Sequence, residues 1–210
     1  PDRLVDSELG EIPEGWEVSD TYGLAKMVYG APLKSRLFND DRRGIPIIRI
    51  RDLSHHSPGV YTTEQHPRGY LVQPGDVVVG MDGEFRAHIW RGPEAWLNQR
   101  VCCFRPLSSV PAFFLKMSIE RPLKFFEYAK SGTTVIHLGK KDIDTFRLLK
   151  PRADVLRAFG GIVEPLRIRI IGLAAQSRTL AALRDTLLTK LLSGELEVPD
   201  AEAVVEEVAK

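Results

Sequence analysis

The chain has 210 residues, 43% of them apolar and 27% charged, which is enough apolar material for a sizeable core and excludes a globally disordered polymer. No apolar run approaches the roughly 18 residues needed to span a bilayer, and with only two cysteines, the neighbours Cys102 and Cys103, a disulfide framework is excluded too. The formal net charge is +1.

That small net charge conceals an asymmetry. Residues 1–20 carry seven acids and one base, and residues 195–210 carry six acids and one base. Residues 21–194 therefore hold 27 bases against 15 acids, a net of +12. A basic body between acidic ends suits a polyanion, because each neutralised phosphate releases counterions. The opening residues, Pro1 to Asp6, have neither the basic start nor the apolar run of a signal peptide. Adjacent cysteines on a strand point to opposite faces and are poorly placed to bridge. A cytoplasmic location is expected.

In chain order, Pro13-Glu14-Gly15 predicts a turn that delivers Trp16 into the core. Residues 46–51, Pro-Ile-Ile-Arg-Ile-Arg, alternate apolar and basic, which predicts a strand with Ile48 and Ile50 inward and Arg49 and Arg51 outward. Pro74-Gly75 opens a turn, and residues 76–81, Asp-Val-Val-Val-Gly-Met, read as a buried strand. Asp82-Gly83 then turns the chain into residues 84–91, predicting a hairpin over 76–91. Residues 95–104 read as a further strand. Residues 111–129 read as a helix broken in two by Pro122, and 142–149 as a last strand before Pro151.

Beyond about residue 153 the period changes. Phe159, Val163, Leu166, Ile170, Leu173, Ser177, Leu180, Arg184, Leu187 and Leu191 step by fours and threes, a heptad seam with polar breaks at Ser177 and Arg184. Gly160-Gly161 and Pro165 predict a kink or short gap in its first third. Gly194 is placed to stop the helix in the left-handed conformation. About 27 residues from Pro165 would extend roughly 40 Å. A stripe that long needs a partner, and Leu166, Ile170, Leu173, Leu180, Leu187 and Leu191 are its expected contact residues.

Catalytic constellations are lacking. Neither cysteine has zinc-site spacing, the five histidines (His55, His56, His66, His88, His137) are scattered, and no nucleophile elbow, Walker loop or glycine-rich dinucleotide loop occurs. A methyltransferase would need such a cofactor loop. Asp76 and Glu84 approach a metal-dependent nuclease pattern, but Arg86 stands where a lysine is wanted, and a guanidinium is not a compact point charge. No cofactor and no metal are expected.

The residue types that read DNA are better represented. Arginine suits guanine, asparagine and glutamine suit adenine, and lysine, arginine and backbone N–H groups hold phosphates. Four segments concentrate them: Lys34 with Arg36; Arg49 with Arg51; Arg86, His88 and Arg91 with Asn98, Gln99 and Arg100; and Lys130, Ser131, Thr133 and Thr134 with His137. For each there is also a structural reading, since Arg49 and Arg51 suit a solvated face, Asn98 or Gln99 a bulge, and residues 131–134 a connector or helix cap.

Five segments, in order, resemble the specificity subunits of type I restriction–modification systems: residues 6–16 (DSELGEIPEGW), 44–53 (GIPIIRIRDL), 74–85 with 97–101 (PGDVVVGMDGEF, LNQRV), 131–136 (SGTTVI) and 183–196 (LRDTLLTKLLSGEL). The resemblance implies an α+β fold, with a mixed α/β target-recognition domain over 1–151 built on a twisted sheet. A long helix over 152–194 would follow, packing antiparallel on a partner helix, and then an acidic tail over 195–210. It implies a non-catalytic reader of double-stranded DNA that directs methyltransferase subunits, and restriction or translocase subunits where present, to a split site. Full subunits of that family carry two such units. A single unit would dimerise, or be part of a longer chain, and a symmetric dimer would read an inverted, interrupted site. The alternatives from other classes are a helix-mediated protein–protein adaptor and the nuclease using Asp76 and Glu84.

Overall fold

The computed structural model describes residues 3–130, 136–198 and 207. In chain order the strands are β1 (Leu4–Val5), β2 (Ile12–Pro13), β3 (Glu17–Ser19), β4 (Ala25–Tyr29), β5 (Phe38–Asn39), β6 (Ile45–Ile48), β7 (Tyr61–Thr62) and β8 (Leu71–Val72). There follow β9 (Val77–Gly80), β10 (Ala87–Ile89), β11 (Ala95–Leu97), β12 (Val101–Pro106), helix α1 (Ala112–Ala129), the short α2 (Lys140–Ile143), β13 (Leu148–Lys150) and the 40-residue α3 (Ala153–Leu192). The fold class is α+β, as expected.

The chain divides into two compact units, residues 1–171 and 172–210. In the first, an antiparallel four-stranded sheet has the order β10-β9-β12-β4. A five-stranded sheet, β5-β7-β6-β11-β8, is mixed, because β11 runs parallel to β6 and antiparallel to β8. Two small ribbons, β1-β2 and β13-β3, complete it.

The four-stranded sheet is buried on both faces, which explains the uninterrupted valines of β9. Val77 and Val79 point into one core with Cys102, Phe104 and the α1 residues Leu115, Ile119 and Leu123. Val78 points the other way, into a core with Ile48, Trp90, Leu97 and Cys103. The period of two along a strand separates the cysteines in the same manner: both thiols are free and buried, and burial pushes Cys102 up to about 12.

The predicted hairpin over 76–91 is β9 and β10, paired from Val77↔Ile89 to Val79↔Ala87. Several other expectations are corrected. The strand over 95–104 is two strands in different sheets, separated by a turn in which Arg100 takes φ 72°. The strand from 46 to 51 stops at Ile48; residues Ile50–Asp52 form a 3-10 turn that Asp52 closes by accepting the Arg49 N–H at 2.9 Å. The strand over 142–149 begins as α2, where Asp142 accepts the Gly139 N–H at 2.7 Å, and only Leu148–Lys150 is extended. Trp16 is half-buried rather than a core anchor.

Neither internal proline breaks its helix. Pro122 lies inside α1, which runs unbroken because Leu115, Ile119 and Leu123 on either side of it are fully buried. Burying each such side chain contributes roughly 1.5–3 kcal/mol, enough together to offset a penalty of about 3 kcal/mol for an internal proline. Gly160, Gly161 and Pro165 likewise sit within a continuous α3. Residues 153–171 belong to the first unit, with Leu156 buried and Phe159 packed edge-on to Phe114 at 6.4 Å. A Cβ at Gly160 would come within 3.1 Å of Pro111 Cγ, so the glycine permits this close packing.

Candidate nucleic-acid interface

Strand β10, helix α1 and the first part of α3 enclose a cleft of about 660 Å³ within the first unit. Arg86, His88 and Arg91 reach it from β10 and its flanks, Lys116 and Lys124 from α1, and Arg167 from α3. Three of these cations have acidic neighbours: Arg86 is 2.9 Å from Glu84, Arg167 is 2.7 Å from Glu164, and Lys116 pairs with Glu120. The Arg86–Glu84 pair, open to solvent on both sides, contributes little to stability and exchanges readily for another anion, whereas the Arg167 and Lys116 pairs are partly covered.

His88 reports the local field. Burial lowers its pKa, and the charges of Lys116, Arg86 and Arg91 lower it further. It is therefore neutral at pH 7, in a cleft where five cations outnumber the two lining carboxylates, Glu120 and Glu127. On its other side His88 meets His56, their ring centroids 5.9 Å apart, and the His56 ring also packs edge-on to Trp90 at 5.4 Å.

A second cluster forms beyond the other end of the loop that joins β9 to β10. His137 Nδ1 lies 2.6 Å from Asp82 Oδ1, and Arg100 Nε lies 3.6 Å from Asp82 Oδ2. The backbone holds these pieces: Leu138 N–H donates to Met81 O at 2.7 Å, Gly83 N–H to Ile136 O at 3.2 Å, and Met81 N–H to Arg100 O at 2.8 Å. Lys130 Nζ donates to His137 O at 2.8 Å and to Asp142 Oδ2 at 2.5 Å.

The predicted residues thus fall into separate places. Arg86, His88 and Arg91 converge on the cleft; Arg100 and His137 converge on Asp82. Lys34 and Arg36 are exposed around the 3-10 turn Ser35–Leu37, where the Lys34 N–H donates to Glu64 Oε2 at 2.7 Å. Arg51 and Gln99 are exposed. Asn98 is half-buried and bridges Ala31, its Oδ1 buried without a hydrogen-bond partner among the described residues. Arg49 does not stand on an outer strand face: its Nε is 3.2 Å from the carboxylate of Asp52, which is 2% exposed. Ser131, Thr133 and Thr134 lie outside the described residues.

Lys116, Lys124 and Arg167 were missed because no local motif marks them. Lys116 and Lys124 are eight residues apart in sequence, with Glu120 and Glu127 between and beyond them, a helical face that periodicity alone offers as ordinary surface. Asp76, half of the nuclease pattern, is engaged in holding its own turn. Its Oδ2 accepts from Tyr70 Oη at 2.8 Å and from Gln73 N–H at 2.9 Å. Among the described residues no group of three or more His, Cys, Asp or Glu side chains is placed to hold a metal ion.

The seam on α3 is apolar and open to solvent. In the first unit Leu166 is 54% and Ile170 39% exposed. In the second unit Leu173 and Leu180 are exposed, and Leu187 and Leu191 partly so. The helix ends as expected: Gly194 takes φ 71°, its N–H donates to Leu191 O at 3.2 Å, and Glu195 N–H donates to Lys190 O at 3.0 Å, the paired bonds of a Schellman stop. Among the described residues no helix is long and apolar enough to cross a membrane.

Against known proteins, residues 13–154 match the family described as the type I restriction modification DNA specificity domain. The chain is 30% identical over 206 residues to the type I restriction enzyme EcoBI specificity subunit of Escherichia coli, covering 95% of this chain and 43% of that protein. It is 27% identical over 203 residues to the MjaIX specificity subunit of Methanocaldococcus jannaschii, covering 90% of this chain and 46% of that one. The crystal structure of the HsdS subunit from Thermoanaerobacter tengcongensis superposes with a TM-score of 0.56 at 17% identity, over 90% of this chain and 48% of that one. The type I restriction–modification S subunit from M. genitalium superposes with a TM-score of 0.55 at 15% identity, over 85% of this chain and 46% of that one. The chain therefore spans a little under half the length of these relatives. On the family match across most of its body, the chain belongs to the type I restriction modification DNA specificity domain family.

Proposed function

We propose that this chain is a non-catalytic, sequence-specific reader of double-stranded DNA that acts within a type I restriction–modification complex. The carrying observation is the cleft itself, lined by Arg86, Arg91, Lys116, Lys124 and Arg167 against the carboxylates Glu120 and Glu127, with His88 kept neutral by burial and by the charges of Lys116, Arg86 and Arg91. Such a surface neutralises backbone phosphates and sets register on the duplex. Base reading falls to side chains elsewhere on the body, drawn from the exposed Arg51, Gln99, Arg100, Lys34 and Arg36 and the half-buried His137.

Residues 1–151 serve as the target-recognition domain, 152–194 as the spacer helix and 195–210 as an acidic tail. The exposed apolar seam of α3 supports assembly through the helix, either with a second copy or with the other half of a longer subunit. Methyltransferase subunits, and where present a translocating restriction subunit, would then be brought to a split site in the cytoplasm. The same seam favours a second reading, a protein–protein adaptor in which the basic body is incidental.

Charge reversal separates the two. Arg86→Glu with Lys124→Glu, tested in the assembled complex, is expected to preserve subunit assembly and abolish sequence-specific methylation. Methylation at the wild-type rate would leave only the adaptor reading. Duplex binding by the chain should weaken steeply with salt, and an affinity unchanged from low to moderate salt removes the phosphate-contact reading.

A further inference from the structure

Arg100 takes φ 72° without being glycine, a conformation that L side chains adopt at a cost and that persists where the surroundings impose it. The surroundings here are explicit: Arg100 O accepts the Met81 N–H at 2.8 Å, and Val101 N–H donates to Asn98 O at 3.2 Å. A glycine would occupy this turn freely, so the backbone gives no reason for an arginine. The reason lies in the side chain.

Its guanidinium sits in a prepared seat. Asp82 Oδ2 is 3.6 Å from Arg100 Nε, while Asp82 Oδ1 receives the Nδ1–H of His137 at 2.6 Å. Arg100 Nη1 also lies 3.3 Å from His137 Nδ1; with the Nδ1 proton on the side of the Asp82 carboxylate, this is a packing contact and not a second hydrogen bond. Asp82 is itself fixed, since residues 81–83 carry backbone bonds to residues 136–138 and to Arg100. Three segments distant in sequence thus converge to orient one side chain, which remains 56% exposed.

We infer that Arg100 is a specificity-determining residue that reads a guanine in the major groove, and that Asp82 is its positioning residue. An arginine biased by a carboxylate on its Nε side, at ion-pair and not hydrogen-bond distance, keeps its N–H donors for a ligand, and the planar fork matches the O6 and N7 acceptors of guanine. Holding it beforehand removes the entropy otherwise lost on contact. The same fork can also grip a phosphate, and the two are told apart by whether loss of Arg100 removes one base preference or lowers affinity for every duplex alike. The inference rests on the DNA-reading function proposed above and deepens it.

The test is selection from a randomised duplex pool by the full chain, followed by affinity measurement on the selected duplex and on an unrelated one. Wild type is expected to enrich a motif containing guanine. Arg100→Gly, which the turn accommodates, should lose preference at one guanine, with affinity for the selected duplex falling about 5- to 150-fold and affinity for the unrelated duplex nearly unchanged. Arg100→Lys, which retains the charge without the planar fork, should weaken the same preference without removing it. Asp82→Asn should blur that position alone and add nothing in the Arg100→Gly background. An unchanged motif in Arg100→Gly, or a loss equal on both duplexes, overturns the assignment while leaving DNA reading intact. A wild-type selection with no motif overturns the DNA reading and the assignment with it.

Discussion

Glu127 of α1 accepts the backbone N–H of Phe85 at 2.8 Å, so the loop leading into β10 is pinned to the helix that forms the opposite wall of the cationic cleft. Phe85 is 2% exposed, and its amide has little access to water once that carboxylate is gone. Glu127→Ala should destabilise the chain by about 1–3 kcal/mol, the cost of an unsatisfied buried donor. Urea unfolding checks this; a midpoint within error of wild type would show that the bond contributes nothing.

Arg49 and Asp52 make the opposite case from the cleft arginines. Asp52 is almost fully buried and receives both the Arg49 N–H at 2.9 Å and the Arg49 guanidinium at 3.2 Å. Asp52→Ala is expected to cost about 1–3 kcal/mol, because the Arg49 N–H loses its acceptor and a guanidinium that still reaches solvent loses its counter-charge. Arg49→Ala should lower stability while leaving the salt dependence of DNA binding unaltered. A flattened salt slope in that variant would restore Arg49 to the DNA-contacting set.

Lys124 is exposed on α1 within the cleft. Lys124→Ala should lower affinity for all duplexes alike and reduce the slope of log K against log salt by about 1, the signature of one phosphate contact. Thermal stability should shift by less than about 0.5 kcal/mol, as for other exposed positions. Loss confined to one base pair would contradict the phosphate role.

His88 supplies a pH dependence. Its pKa is lowered, by burial first and then by Lys116, Arg86 and Arg91, from an ordinary 6.5. Below pH 6.5 the unfolded chain takes up a proton that the folded chain resists. Stability therefore rises with pH across the interval from the lowered value up to 6.5, and is lost as pH falls through it. His88→Gln should flatten that part of a urea-midpoint profile. Duplex DNA, by adding phosphate charge to the cleft, should move the His88 imidazole resonances to titrate at higher pH, measurable by NMR.

Leu173 and Leu180 stand on the open seam of α3. Leu173→Asp with Leu180→Asp is expected to abolish self-association in sedimentation experiments and to spare weak duplex binding by the body. Retained association would move the assembly surface off this helix.

The amino-acid order alone determined what depends on neighbours along the chain. The valines of β9 and the return through β10 follow from a period of two and a turn, the seam of α3 from a period of about 3.5, and its stop from a glycine in the left-handed region. The adjacent cysteines of β12 had to diverge for the same local reason. Tertiary packing decided the rest. Pro122 reads as a break because helix propensity is a local quantity, whereas the burial of Leu115, Ile119 and Leu123 that overrides it is not. Arg49 and Arg86 look alike in sequence; only the fold seats one on Asp52 and leaves the other in the cleft. The same holds for Lys124 and Arg167, and for Asp82 and Arg100, which meet because distant segments pair. Charge type is written in the residues, but the field that makes a site is a sum over neighbours in space, and those neighbours exist only once the chain has packed.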